Sequence, residues 1–153
     1  MIPLKRILLA EDNSRDVELI LAALEEIRLA NAVDVARDGV EALDYLHGRG
    51  RFAGRLPGLP VVVLLDIKMP RLNGPEVLRQ IRADPQLKNL PVVMFTSSRE
   101  DPDLAECYAL GANAYVVKPV GFDEFAAATR QVGVFWALLN EPAPVNSSTP
   151  DNT

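Results

Sequence analysis

The chain has 153 residues, 48% hydrophobic and 24% charged, with a net charge of -5 and one cysteine. That length makes one domain with a real core, and the composition is that of an ordinary globular protein. The negative balance, without a basic stripe or an aromatic-rich strand, argues against nucleic-acid binding, and the lone Cys107 rules out an internal disulfide.

Met1 leads straight into a short apolar strand, Ile7 to Ala10, with no cationic signal region and no long apolar run. A cytoplasmic protein that does not touch membranes is therefore expected. Glu11-Asp12 precede the capping residues Asn13-Ser14, after which Val17, Ile20, Leu21, Leu24 and Ile27 recur at helical spacing. Val33 to Ala36 make a second short strand. Asp38-Gly39-Val40-Glu41 has capping-box spacing and opens a second helix through Leu43 and Leu46. Residues 48–58, rich in glycine and arginine, form a long loop.

The central stretch is Val61-Val62-Val63-Leu64-Leu65, bounded by Pro60 and Pro70 and followed directly by Asp66. Such an unbroken apolar run reads as a strand buried on both faces of a parallel sheet. A carboxylate at its C-terminal end lies where open α/β sheets place their ligands. Taken alone, the segment also allows a plain capping or loop aspartate.

Farther on, Asn73-Gly74-Pro75 starts a helix carrying Val77, Leu78 and Ile81, and Pro85 stops it. Val92 to Phe95 form the next buried strand, ending at Thr96-Ser97-Ser98. A helix through Leu104 and Tyr108 ends at Gly111. Ala114 to Val117 lead into Lys118-Pro119, and a last helix is expected from about Phe122 to Leu139. Its sheet-facing stripe reads as Phe125, Thr129, Val132, Trp136 and Leu139, with Val134, Phe135 and Leu138 on other sides. A domain over 1–139 and a proline-containing tail over 140–153 follow.

Five strands alternating with five helices predict a doubly wound α/β domain. Glu11-Asp12, Asp66, Thr96 and Lys118 all stand at C-terminal strand ends, so this fold gathers them on one edge. Three carboxylates near one point repel unless a cation sits among them. Oxygen-only donors suit Mg²⁺, with Mn²⁺ an alternative. The Thr96 hydroxyl and the Lys118 ammonium would then hold the oxygens of a phosphoryl group carried by Asp66 as nucleophile.

This set, with Met69-Pro70 and Asn73-Gly74 after the central aspartate, resembles the receiver domain of two-component response regulators over about residues 5 to 135. The resemblance implies a flavodoxin-like sheet of order 2-1-3-4-5. It implies that Asp66 accepts phosphate from a histidine kinase, and that Glu11, Asp12, Asp66 and the Lys68 backbone carbonyl bind the metal. Thr96, Ser97 and Lys118 would contact phosphate, Thr96 and Tyr115 would form the switch pair, and Pro119 would follow a cis bond. Lys68 and Ser98 match positions that tune phosphate lifetime. Lys68 would shield the acyl phosphate, pair with an acid across the site, or simply be exposed.

The chain stops soon after its fifth helix, as expected of a stand-alone receiver. Such a protein signals, catalysing only its own phosphorylation and dephosphorylation. The long loop and the segment 134–142 further resemble the regulators associated with bacterial phytochromes, which would make the kinase a red-light sensor. The apolar end of the last helix predicts a homodimer joined by an arm of Val134, Phe135, Trp136, Leu138, Leu139 and Pro142. A rival reading is a phosphohydrolase of the haloacid-dehalogenase type, but that chemistry wants an aspartate where Lys68 stands. A pure interaction scaffold would need no such constellation. The loop over 48–58 reads as flexible filler, with contact to a kinase the alternative. His47 reads as a surface histidine, with no nearby acid pattern that suggests phosphotransfer or metal binding, and Cys107 as a partly buried small residue.

Overall fold

The computed structural model describes residues 5–26 and 32–138, with the Trp136 side chain outside the description. Five parallel strands form one sheet in the order β2-β1-β3-β4-β5, where β1 is Ile7–Ala10, β2 Val33–Ala36, β3 Val62–Asp66, β4 Val92–Thr96 and β5 Ala114–Val117. The connecting helices are α1 (Ser14–Glu25), α2 (Gly39–His47), α3 (Gly74–Ala83), α4 (Pro102–Ala109) and α5 (Phe122–Val132). This is the flavodoxin-like topology that the resemblance to receivers implies. Ile27, the last apolar position of the expected first stripe, lies outside the described residues.

The unbroken apolar run of β3 has the burial it predicts, because both faces of the sheet are covered. Val63 and Leu65 join Leu8, Met94, Leu78 and Ile81 on the side of α2, α3 and α4. Val62 and Leu64 join Ile7, Phe95, Ile20 and Phe125 on the side of α1 and α5. Register then sets the edge: Asp66 pairs with Phe95, and Thr96 pairs with Val117, the residue before Lys118.

Helix starts follow side-chain chemistry. Asn73 caps α3 with a full capping box, accepting from the Glu76 N–H while Glu76 accepts from the Asn73 N–H. Asp38 caps α2 from the Glu41 N–H, but Glu41 reaches one residue farther back, to the Arg37 N–H. The box expected there is therefore displaced by one position.

Three expectations need correction. The last helix does not run continuously from Phe122 toward Leu139. Gly133 takes φ +85°, and its N–H donates to the carbonyls of Thr129 and Arg130, which closes α5. A single helical turn, α6 (Phe135–Leu138), follows. The break redirects the chain, so Val134 and Leu138 pack on their own domain beside Val132 and Ile20. Leu139 and Pro142 lie outside the described residues.

The glycine- and arginine-rich loop is not filler. Phe52, in a 3₁₀ turn over Gly50–Phe52, is buried edge-on to Tyr45 at 5.1 Å. The Arg55 guanidinium stacks 4.2 Å from the Tyr45 ring and donates to the Tyr45 carbonyl at 2.7 Å. Finally, Cys107 is fully rather than partly buried, whereas His47 is exposed as expected, with Nε2 3.7 Å from Asp84.

Candidate functional site

The site forms where β1, β3, β4 and β5 end. Backbone bonds tie these ends to their neighbours: Glu11 N–H to the Ala36 carbonyl of β2 at 2.9 Å, Ile67 N–H to Phe95 carbonyl at 3.1 Å, and Lys118 N–H to Thr96 carbonyl at 2.8 Å. The peptide between Lys118 and Pro119 is cis, as expected. Past Asp66 the chain crosses to α3 and returns close, with Gly74 N–H on the Ile67 carbonyl at 2.8 Å.

Glu11 and Asp66 are buried while Asp12 is exposed, and each of the three offers a carboxylate oxygen within 4.8 Å of the others. The Lys118 ammonium lies 2.5 Å from Glu11 Oε1 and 3.0 Å from Asp66 Oδ1. Glu11 spends its other oxygen on the Asn13 N–H at 3.2 Å. Glu11 Oε1 is close to the ammonium but off its hydrogen-bonding directions, leaving a buried carboxylate oxygen without a hydrogen-bond donor. Such an atom is a fit for a cation.

Burial, and then the Glu11 charge, push the Asp66 carboxyl up to about 7, against the pull of Lys118. Burial alone would lower the Lys118 pKa, but the carboxylates of Glu11, Asp16 and Asp66 outweigh it and hold the ammonium above its ordinary value. The pocket is thus short of positive charge. An oxygen-only donor set with one orphaned oxygen and an excess of acids suits a hard divalent ion such as Mg²⁺, whose charge would let Asp66 ionise and would neutralise an incoming phosphate.

Thr96 is buried, and its hydroxyl donates to the Ser98 carbonyl at 2.9 Å, 3.4 Å from Asp101 Oδ2. Ser97, Ser98 and Lys68 are exposed on the surrounding loops. Tyr115, half-buried on β5, meets Tyr108 of α4 edge-on at 6.0 Å. Asp16 was missed by the sequence reading. It sits in the first turn of α1, where Lys118 donates to its Oδ2 at 3.0 Å. The available signal was its place three residues after the Asn13 cap, which turns it back toward the strand ends.

The family described as the response regulator receiver domain matches residues 7–130. The chain belongs to that family. This receiver is similar to the bacteriophytochrome response regulator RtBRR, with 56% identity and a TM-score of 0.82 over 93% of this chain and 86% of that one. For the bacteriophytochrome response regulator AtBRR the identity is 56% and the TM-score 0.83, over 92% of this chain and all (100%) of that one. Response regulator Rcp1 of Synechocystis sp. is 31% identical over 134 residues, 88% of this chain and 90% of that protein. Its Mn²⁺-bound structure matches at 32% identity and TM-score 0.71, over 92% of this chain and 99% of that one.

The receiver is therefore a two-component signalling protein, homologous to bacteriophytochrome response regulators. Receivers bind Mg²⁺, and Glu11, Asp12 and Asp66 form a donor set for that ion or for Mn²⁺. The phosphohydrolase alternative finds no support, since the family match is to receivers and an exposed lysine stands where the second acid would be.

Proposed function

We propose that this receiver accepts a phosphoryl group from a histidine kinase onto Asp66 and thereby changes how it meets its partners. The carrying observation is the buried Asp66 carboxylate 3.0 Å from Lys118 and within reach of two further acids. In the transfer, an Asp66 oxygen attacks phosphorus in line, the P–N bond of the kinase phosphohistidine breaks, and the imidazole keeps the bonding pair. Glu11, Asp12, Asp66 and the Lys68 backbone carbonyl would hold Mg²⁺, which supplies positive charge against the incoming phosphate. Lys118, Thr96 and Ser97 contact the phosphoryl oxygens. For Thr96 this requires giving up the Ser98 carbonyl, and the Tyr115 ring moves into the space vacated. Exposed Lys68 and Ser98 tune how fast water reaches the acyl phosphate.

The likeness to RtBRR and AtBRR supports a phytochrome-type kinase as donor and a cytoplasmic setting. Among the described residues no helix is long and apolar enough to cross a membrane, and the net charge of -5 argues against a nucleic-acid partner. A homodimer joined through the C-terminal segment belongs to the same reading. Acetyl phosphate with Mg²⁺ should add one phosphoryl mass to the native protein and none to Asp66→Asn, and chelation should stop the reaction. Labelling of Asp66→Asn would overturn the assignment.

A further inference from the structure

We infer that Asp16 is a positioning residue for phosphoryl transfer, holding the Lys118 ammonium at the pocket while the other carboxylates around it are engaged elsewhere. The inference rests on the reading of Asp66 as phosphoacceptor and Lys118 as its phosphate contact. The ammonium has three N–H donors and three carboxylates around it: Glu11 at 2.5 Å, Asp66 at 3.0 Å and Asp16 at 3.0 Å. Two of these partners are committed elsewhere during transfer. Glu11 would help to hold the cation, and Asp66 gives up its carboxylate charge as its oxygen becomes an acyl phosphate. Asp16 stands outside the Glu11, Asp12, Asp66 cluster and takes no part in the bond changes.

Asp16 is also firmly mounted. Its N–H donates to the Asn13 side chain at 3.0 Å, and the Asn13 N–H is in turn strapped to Glu11 Oε2. The helix N-terminus favours its negative charge. Lysine is a point charge on a flexible four-carbon stem, so without a fixed partner its ammonium spreads over many rotamers. With Asp16 in place one N–H stays anchored, and the other two are left to meet the phosphoryl oxygens. The sequence spacing gives the same picture, since an acid at the third helical position faces the strand ends where β5 delivers Lys118.

The opposite expectation is a plain charge effect, in which any acid near the mouth repels a dianionic donor. A double-mutant cycle on the full chain separates the two. Phosphorylation by acetyl phosphate at saturating Mg²⁺ is timed for the native protein, Asp16→Asn, Lys118→Ala and the double variant. Asp16→Asn should be slower by about fivefold, and the double variant no slower than Lys118→Ala alone. Asp16→Glu should recover part of the rate, and Mg²⁺ affinity measured by calorimetry should stay within about twofold of native. An equal Asp16→Asn effect in both backgrounds, a faster Asp16→Asn protein, or a large loss of Mg²⁺ affinity would each overturn the inference. Asp66→Asn is run alongside. If it still takes up phosphate, the underlying reading fails and Asp16 falls with it; if it is silent while the cycle is additive, Asp16 alone falls.

Discussion

Gly74 stands against Asp66 so closely that a Cβ built on it would lie 2.5 Å from the Asp66 carbonyl oxygen and 2.8 Å from the Ile67 Cα. Both neighbours are backbone, at and just past the strand end that presents the Asp66 carboxylate. The chain can therefore turn from β3 into α3 this tightly only without a side chain at position 74. The capping box of Asn73 and Glu76 then sets the first turn of the helix.

Gly74→Ala should accordingly destabilise the fold by about 2–3 kcal/mol, because backbone must shift to admit the methyl group. Gly48→Ala is the control. Gly48 has φ +63° and nothing within 4 Å of its Cβ position, so its cost is the left-handed backbone alone, about 1 kcal/mol. Urea unfolding of the two variants measures the difference. A Gly74→Ala protein no weaker than Gly48→Ala would show that the crossing is not tight.

The strands were legible because their apolar runs are short, unbroken and bounded by proline, as Val61 to Leu65 is by Pro60 and Pro70. The acids at strand ends were legible because strand direction alone puts them on one edge. Gly133 was not, since apolar residues continue past it at helical spacing and the pattern cannot reveal a φ of +85°. The loop at 48–58 misled for a different reason. Its glycines suggest freedom, but Phe52 and Arg55 are fixed by long-range packing on Tyr45, which no local pattern encodes. Asp16 hid behind an ordinary role, as an acid in the first turn of a helix.

Tyr45 carries a second prediction. Its hydroxyl donates to Asp34 Oδ2 at 2.5 Å, and Arg6 donates to both oxygens of the same carboxylate. Burial works to raise the Asp34 pKa, but the hydrogen bonds from Arg6 and Tyr45 outweigh it and hold the group below an ordinary aspartate's 3.8. A depressed carboxylate stabilises the fold above the unfolded value and loses that contribution as pH falls through the folded one. Native protein should thus weaken below about pH 4, and Asp34→Asn should flatten that limb of a thermal-unfolding profile. Tyr45→Phe should cost about 1 kcal/mol at neutral pH. An unchanged acid limb in Asp34→Asn would count against the network.

Asp66 works in the opposite sense. With its carboxyl pushed up to about 7 by burial and Glu11, the metal-free fold gains from holding that proton. This contribution is complete below the ordinary carboxylate value of 3.8 and is gone above about 7, so the metal-free protein should weaken as pH rises between them. Mg²⁺ needs the ionised carboxylate and competes with the proton. Its affinity should therefore fall as pH is lowered through 7, with proton release on binding seen as a buffer-dependent heat in calorimetry. Asp66→Asn should bind Mg²⁺ more weakly and without that pH dependence. A Mg²⁺ affinity independent of pH in the native protein would contradict the assignment.

The end of the chain gives the last prediction. Leu138 is 3% exposed and Ala137 4% exposed on the domain's own core, placed there by the turn at Gly133. Phe135 is half-buried under the Arg130 guanidinium, 4.3 Å from its ring centre. Val134 and Leu138 are therefore used within the protomer, and any arm to a second copy begins beyond them. Two truncations separate the roles. A chain ending at Leu138 keeps the packed turn and should fold with native stability, but should lose the dimer. A chain ending at Gly133 also loses a buried leucine and should be weaker by about 2–3 kcal/mol in urea unfolding. Light scattering at micromolar concentration reads the first effect. A full-length protein that is monomeric, or a chain ending at Leu138 that remains dimeric, would rule out an arm beyond Leu138 as the link between protomers.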